Sequence, residues 1–116
     1  MKRLSGHSIG VQQGEELLFA DYQNGGEMWT GTGPRERRTP VLFDAAFSEP
    51  PTVQVAISLW DLDRNTNLRA DIQAQNITET GFEIVFQTWA DTRIARIRAT
   101  WMAIGALPHS DDWDLY

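Results

Sequence analysis

LRADIQAQNITETGFEIVFQTWA, running from Leu68 to Ala90, alternates apolar and polar residues twice, with a turn between the two runs. Leu68, Ala70, Ile72 and Ala74 fall on one side, and Arg69, Asp71, Gln73 and Gln75 on the other. Phe82, Ile84 and Phe86 repeat the pattern, with Glu83 and Gln87 pointing away from them. Period two marks a strand with one buried and one wet face, and one wet face per strand means antiparallel sheet. The two runs predict a hairpin of strands Leu68–Asn76 and Phe82–Ala90, closed by Ile77–Gly81. Setting Asn76 opposite Phe82 puts Ile72 opposite Phe86 and Arg69 opposite Trp89. Opposed side chains have Cβ atoms about 4.5–5.5 Å apart, so Arg69 and Trp89 should sit together on the wet face, away from the turn. Such a pair reads as a cation–π surface contact, as a subunit-interface anchor, or as a sugar site. In a sugar site the indole face packs against sugar C–H groups while the guanidinium donates to hydroxyls.

The same period extends outward along the chain. Val53, Val55, Ile57 and Leu59 alternate with Gln54, Ala56 and Ser58. Ala95, Ile97, Ala99, Trp101 and Ala103 alternate with Arg96, Arg98 and Thr100, although Arg and Ala also leave a helix conceivable over Ile94–Ile104. Weaker strands are expected at Glu16–Tyr22 and Arg38–Phe43. Seven glycines between Gly6 and Gly33 predict short strands and turns in the first third, with Asn24-Gly25-Gly26 as one turn. Roughly six one-sided strands predict an all-β, antiparallel β-sandwich.

A chain of 116 residues holds one core, so a single domain over 1–116 is expected. No apolar run approaches the ~18–20 residues that cross a bilayer, so no membrane insertion is expected. Met1–Gly10 has no apolar stretch behind Lys2 and Arg3, so no Sec-type signal peptide is expected, and the location stays open. The net charge of −6 argues against bulk binding to nucleic acid. Cysteine is absent, which removes thiol nucleophiles, disulfides and Cys-ligated zinc. The two histidines, His7 and His109, lie near opposite ends and read as solvated residues.

Asp61-Leu62-Asp63-Arg64-Asn65-Thr66-Asn67 begins like a calcium loop, but Thr66 fills the glycine position and Ile72 the position of the bidentate Glu. It reads as a polar loop with Asx side chains bonding their own backbone. Asp61 and Asp63 could form an acid–base pair of a hydrolase only with partners the sequence does not offer. Arg35, Arg37 and Arg38, interrupted by Glu36, read as a solvated or interface loop. Asn76-Ile77-Thr78 is a glycosylation sequon at a strand end, read as coincidental. Asp111, Asp112 and Asp114 make an acidic tail, in which Trp113 and Tyr116 suggest docking. No enzyme constellation, cofactor motif or metal site stands out.

Five segments together resemble the H-type lectin domain, the family of snail agglutinins and of the discoidin C-terminal domain. They are Ser48–Val53, Asn67-Leu68-Arg69, Thr80-Gly81-Phe82, Thr88–Thr92 and Thr100–Gly105, in family order over roughly residues 29–105. Residues 1–28 and 106–116 match less well. The resemblance implies a six-stranded sandwich assembled as a homotrimer, a non-catalytic lectin with a part in cell adhesion. It implies binding of galactose, N-acetylgalactosamine or related surface glycans, bacterial polysaccharide among them, in clefts between subunits. It assigns sugar contacts to Arg69 and Trp89, and an acidic contact from the neighbouring subunit to Glu36, where the snail proteins have Asp. Family His and Tyr contacts fall on Ala90 and Ala95, and Asp91 and Arg93 are polar groups nearby that could replace them. The alternative is a trimeric attachment piece of a larger particle with little or altered sugar binding.

Overall fold

The computed structural model describes residues 1–108, apart from Ser5 and His7. Six strands follow one another: β1 (Ile9–Phe19), β2 (Arg35–Leu42), β3 (Thr52–Leu62), β4 (Ala70–Gln75), β5 (Gly81–Thr88) and β6 (Ile94–Ala106). A 3-10 turn (Asp21–Gln23) and a one-turn helix α1 (Glu27–Thr30) lie between β1 and β2. The strands form two three-stranded antiparallel sheets, ordered β1-β6-β3 and β2-β5-β4, packed face to face as a sandwich.

The hairpin has the register its alternation predicts: Ala70 pairs with Thr88, Ile72 with Phe86 and Gln75 with Glu83. The ladder stops one pair short of Arg69 and Trp89. At the other end Asn76 takes a left-handed φ of 54° and Thr78 N–H donates to Gly81 O at 2.8 Å, closing the turn. Gly81 is required here because a Cβ would collide with the backbone carbonyl of Val41.

Inner-face residues fill the space between the sheets. Ile84, Phe86, Ile94, Ile97, Ala99 and Ala103 are fully buried. Phe43, Phe82 and Trp101 pack edge-on and tilted at centroid distances of 5.5–5.9 Å at the turn end. At the opposite end Phe19 meets Phe86 at 5.5 Å, and buried Met28 of α1 closes the core.

Several expectations change. β1 starts seven residues earlier than Glu16, because Gly10 and Gly14 let other side chains reach its backbone. A Cβ on Gly10 would lie 2.6 Å from Leu107, and one on Gly14 would lie 2.9 Å from the Trp101 indole. Ile94–Ile104 is strand, as its alternation predicts, and lies between β1 and β3. The arginine cluster is not a solvated loop: it opens β2, an edge strand that also tolerates Pro40. The outer faces also differ. The β2-β5-β4 sheet presents Glu36, Arg38, Asp71, Gln73 and Gln87, whereas the β1-β6-β3 sheet exposes Val11, Met102 and Ile104.

Candidate functional site

Two buried threonines hold the site's backbone. Thr88, the last residue of β5, donates its hydroxyl to Arg69 O at 2.5 Å. Thr92 accepts the Arg69 N–H at 3.0 Å and donates to Asn67 O at 2.5 Å. Each threonine is 1% exposed. Arg69 is therefore clamped through both its backbone groups, while its side chain is exposed. Among the described residues its guanidinium has no hydrogen-bond or ion-pair partner.

The loop after β5 carries Trp89, 42% exposed, and turns at Ala90 with a left-handed φ of 60°. Ala90 O accepts hydrogen bonds from Gly33 N–H at 2.9 Å and from the Arg35 guanidinium at 3.4 Å. Arg35, 6% exposed, also donates to the carbonyls of Gly33, Glu27 and Met28. Burial lowers its pKa, opposed by the charge of Glu27, and a guanidinium stays protonated through such a shift. Arg93 stacks 4.6 Å over the Trp29 ring, donates to Trp29 O at 2.8 Å and pairs with Asp63 at 3.3 Å. α1 and the start of β2 thus lock the loop that presents Trp89.

Beside Trp89 lies an open hollow of about 420 Å³, lined by Pro34, Arg35, Glu36, Gln87, Thr88 and Trp89. Glu36 and Gln87 are directly opposed across β2 and β5. Gln87 Nε2 donates to Glu36 Oε1 at 2.9 Å, and Arg38 Nε donates to Oε2 at 3.0 Å. These two hydrogen bonds, Gln87's first, hold the Glu36 carboxyl below the usual range, so it is ionised at neutral pH.

The predicted site residues therefore divide. Glu36 and Trp89 line one hollow of the same chain. Arg69 directly precedes Ala70, whose partner in β5 is Thr88, and its side chain is exposed outside the lining of that hollow. Asp91 is on the same loop, its Oδ2 accepting the Asn67 N–H at 3.3 Å. Ala95, where the family's Tyr contact falls, is buried in β6 and does not face the site. Sequence reasoning missed Thr88, Thr92, Arg35 and Gln87. Only Gln87 carried a usable signal, since it lies two residues before Trp89 on the same wet face.

Asp61 and Leu62 end β3, and residues 63–67 form a polar loop. Asp63 Oδ1 accepts the Asn65 N–H at 2.9 Å, and Asp61 pairs with Arg96 at 2.8 Å. Among the described residues no three of His, Asp and Glu stand close enough to hold a metal ion. No helix among them is long and apolar enough to cross a membrane. His7, His109 and the acidic tail, with Trp113 and Tyr116, lie outside the described residues.

The H-type lectin domain profile matches residues 38–104. A protein of Fuscovulum blasticum described as "ATP synthase subunits region ORF 7" is 54% identical over 110 residues, 95% of this chain and 96% of that protein. A discoidin-1 polypeptide of Dictyostelium discoideum is 37% identical over 96 residues, which is 80% of this chain but only 38% of the discoidin. The structure of wild-type discoidin II from Dictyostelium discoideum superposes with a TM-score of 0.75 at 25% identity, over 91% of this chain and 39% of that one. A profile spanning more than half of the chain, with the six-stranded two-sheet fold beneath it, identifies the lineage: the chain belongs to the H-type lectin domain family.

Proposed function

We propose that the chain is a non-catalytic carbohydrate-binding module that takes galactose, N-acetylgalactosamine or related neutral surface glycans. The feature that supports this reading is the exposed indole of Trp89 on the residue after Thr88, whose hydroxyl holds the backbone of Arg69, itself exposed. Trp89 supplies an apolar face for sugar C–H groups. Arg69 supplies several N–H donors in a fixed fork, and Asp91 supplies a carboxylate acceptor. Family membership supports carbohydrate binding in general; the sugar, the contact residues and the assembly are this proposal's own.

The module acts as a homotrimer, which is how it would serve adhesion. The apolar outer face of the β1-β6-β3 sheet supports self-association, since Val11 (58% exposed) and Met102 (40%) are costly to leave in water. A monomer by light scattering at micromolar concentration overturns the trimer. A second reading is a trimeric attachment piece with altered sugar binding, and it draws on Ala90 and Ala95 standing at the family's His and Tyr positions. A glycan array separates the two. The lectin reading expects binding that Trp89→Ala abolishes and Arg69→Lys does not sustain, with both variants folded. No binding to any glycan by a stable trimer favours the attachment piece. If Trp89→Ala unfolds the chain, Trp89 is a packing residue and the site assignment falls.

A further inference from the structure

The Trp89 indole has two flanks, and only one of them is used by the contacts proposed so far. Toward β4 lies Arg69, next in the chain to Ala70, which pairs with Thr88. Toward β2 lies the hollow of about 420 Å³, whose lining includes Pro34, Glu36 and Gln87 but not Arg69. The hollow is open to solvent, and its volume lies within the range of small-ligand clefts. We propose that this β2-side hollow is a second sugar subsite built within a single chain, so that the module takes at least a disaccharide. One unit lies on the Arg69 flank of Trp89 and the next lies against Glu36 and Gln87. The proposal rests on the glycan reading above.

The chemistry of the hollow selects what it holds. Gln87 and Arg38 fix the Glu36 carboxylate from both sides, each using one lone pair of a different oxygen. A second lone pair on each oxygen is left to accept a hydroxyl proton. Gln87 Oε1 has no hydrogen-bond partner among the described residues and is a third acceptor. Pro34 offers an apolar edge for ring C–H groups. Three acceptors and an apolar edge suit a neutral, hydroxyl-rich unit. A sialic acid, uronic acid or sulfated unit would meet the Glu36 carboxylate, while Arg35, which also lines the hollow, is 6% exposed and bonded to four backbone carbonyls. Placing Glu36 in the hollow of its own chain also departs from the resemblance, in which this contact comes from the neighbouring subunit.

The experiment is calorimetric titration of the intact assembly with N-acetylgalactosamine, then with a panel of neutral disaccharides ending in galactose or N-acetylgalactosamine. At least one linkage should bind about 10-fold or more tighter than the monosaccharide. Glu36→Ala and Gln87→Ala should each remove most of that gain while leaving monosaccharide affinity within about 2-fold, since neither touches the Arg69 flank. Both side chains are exposed, and a thermal melt verifies that each variant is folded. Sulfating the second unit should abolish the gain. Oligomers mixed from Arg69→Ala and Glu36→Ala chains should not recover tight disaccharide binding, because no single chain carries both flanks. Recovery on mixing overturns the intrachain assignment. Monosaccharide binding with no gain for any disaccharide, or a gain that survives both variants, overturns the subsite and leaves the lectin reading standing. Absence of binding to every glycan removes the lectin reading itself, and this proposal with it.

Discussion

Replacing Thr92 by Val keeps the shape of a buried side chain and removes one oxygen. That oxygen accepts the Arg69 N–H at 3.0 Å and donates to Asn67 O at 2.5 Å, in a residue only 1% exposed. An N–H left unpaired in a part-buried position costs about 1–3 kcal/mol. Asn67 is exposed, so its carbonyl can turn to water, and losing that bond costs about 0.5–1 kcal/mol. The sum, about 1.5–4 kcal/mol, is a large share of the roughly 5–15 kcal/mol that holds a small domain. For a chain of 116 residues this is a fall in melting temperature of about 5–15 °C. Glycan affinity should fall about 10-fold or more, because the N–H that anchors Arg69 is gone. Differential scanning calorimetry and glycan titration measure the two effects. Thr92→Ser is the control: it keeps the oxygen, loses one methyl at about 0.5–1.5 kcal/mol, and should bind as the parent does. A Thr92→Val chain within about 0.5 kcal/mol of the parent would refute the energetic argument. Unchanged affinity would refute the claim that the clamp positions Arg69.

Ala90→Gly should raise stability by about 0.5–1 kcal/mol, because Ala90 sits at a left-handed φ of 60°; a lowered melting temperature would contradict this. Gly81→Ala should cost about 1–3 kcal/mol, because the new Cβ meets the Val41 carbonyl, and a denaturant titration with an unmoved midpoint would show that the hairpin yields there. Glu36 has its pKa lowered by Gln87 and Arg38, so what its charge contributes to binding is present above the ordinary value and lost only as pH falls through the lower one. Disaccharide affinity should therefore hold from pH 7 down through the usual Glu value of about 4.3, and a midpoint at or above that value would count against the Glu36 contact.

What the sequence makes legible is what local alternation controls. The Leu68–Ala90 register follows from Ile72 and Phe86 sharing a face, and it holds pair by pair from Ala70–Thr88 to Gln75–Glu83. β1 is harder to see, because Gly10 and Gly14 read as breakers. Their role depends on Leu107 and Trp101 arriving from the far end of the chain, which no local window contains. Arg35 and Arg37 look solvated by composition. In the fold they face inward at the end of the sandwich, where backbone carbonyls and Asp21 satisfy them, Asp21 pairing with Arg37 at 2.9 Å. The site divides in the same way. Trp89 and Arg69 announce themselves as an aromatic and a cation on one wet face. Thr88 and Thr92 look like ordinary polar spacers, and only the path of Asn67–Arg69 past them turns their hydroxyls into anchors.

The pairing of Ile9 with Ala106 also sets a timetable. β6 is the central strand of its sheet and the last to be synthesised, so β1 and β3 both wait for it. At about 5–20 residues per second, β1 leaves the ribosome roughly 5–20 s before its partner exists. Until then the nascent chain can complete only the β2-β5-β4 sheet, whose strands are all made by Thr88. The half that carries Trp89 is therefore built first, and its apolar inner face stays uncovered until the final strand arrives. During that interval, binding by a chaperone or docking of a second nascent copy competes with correct closure.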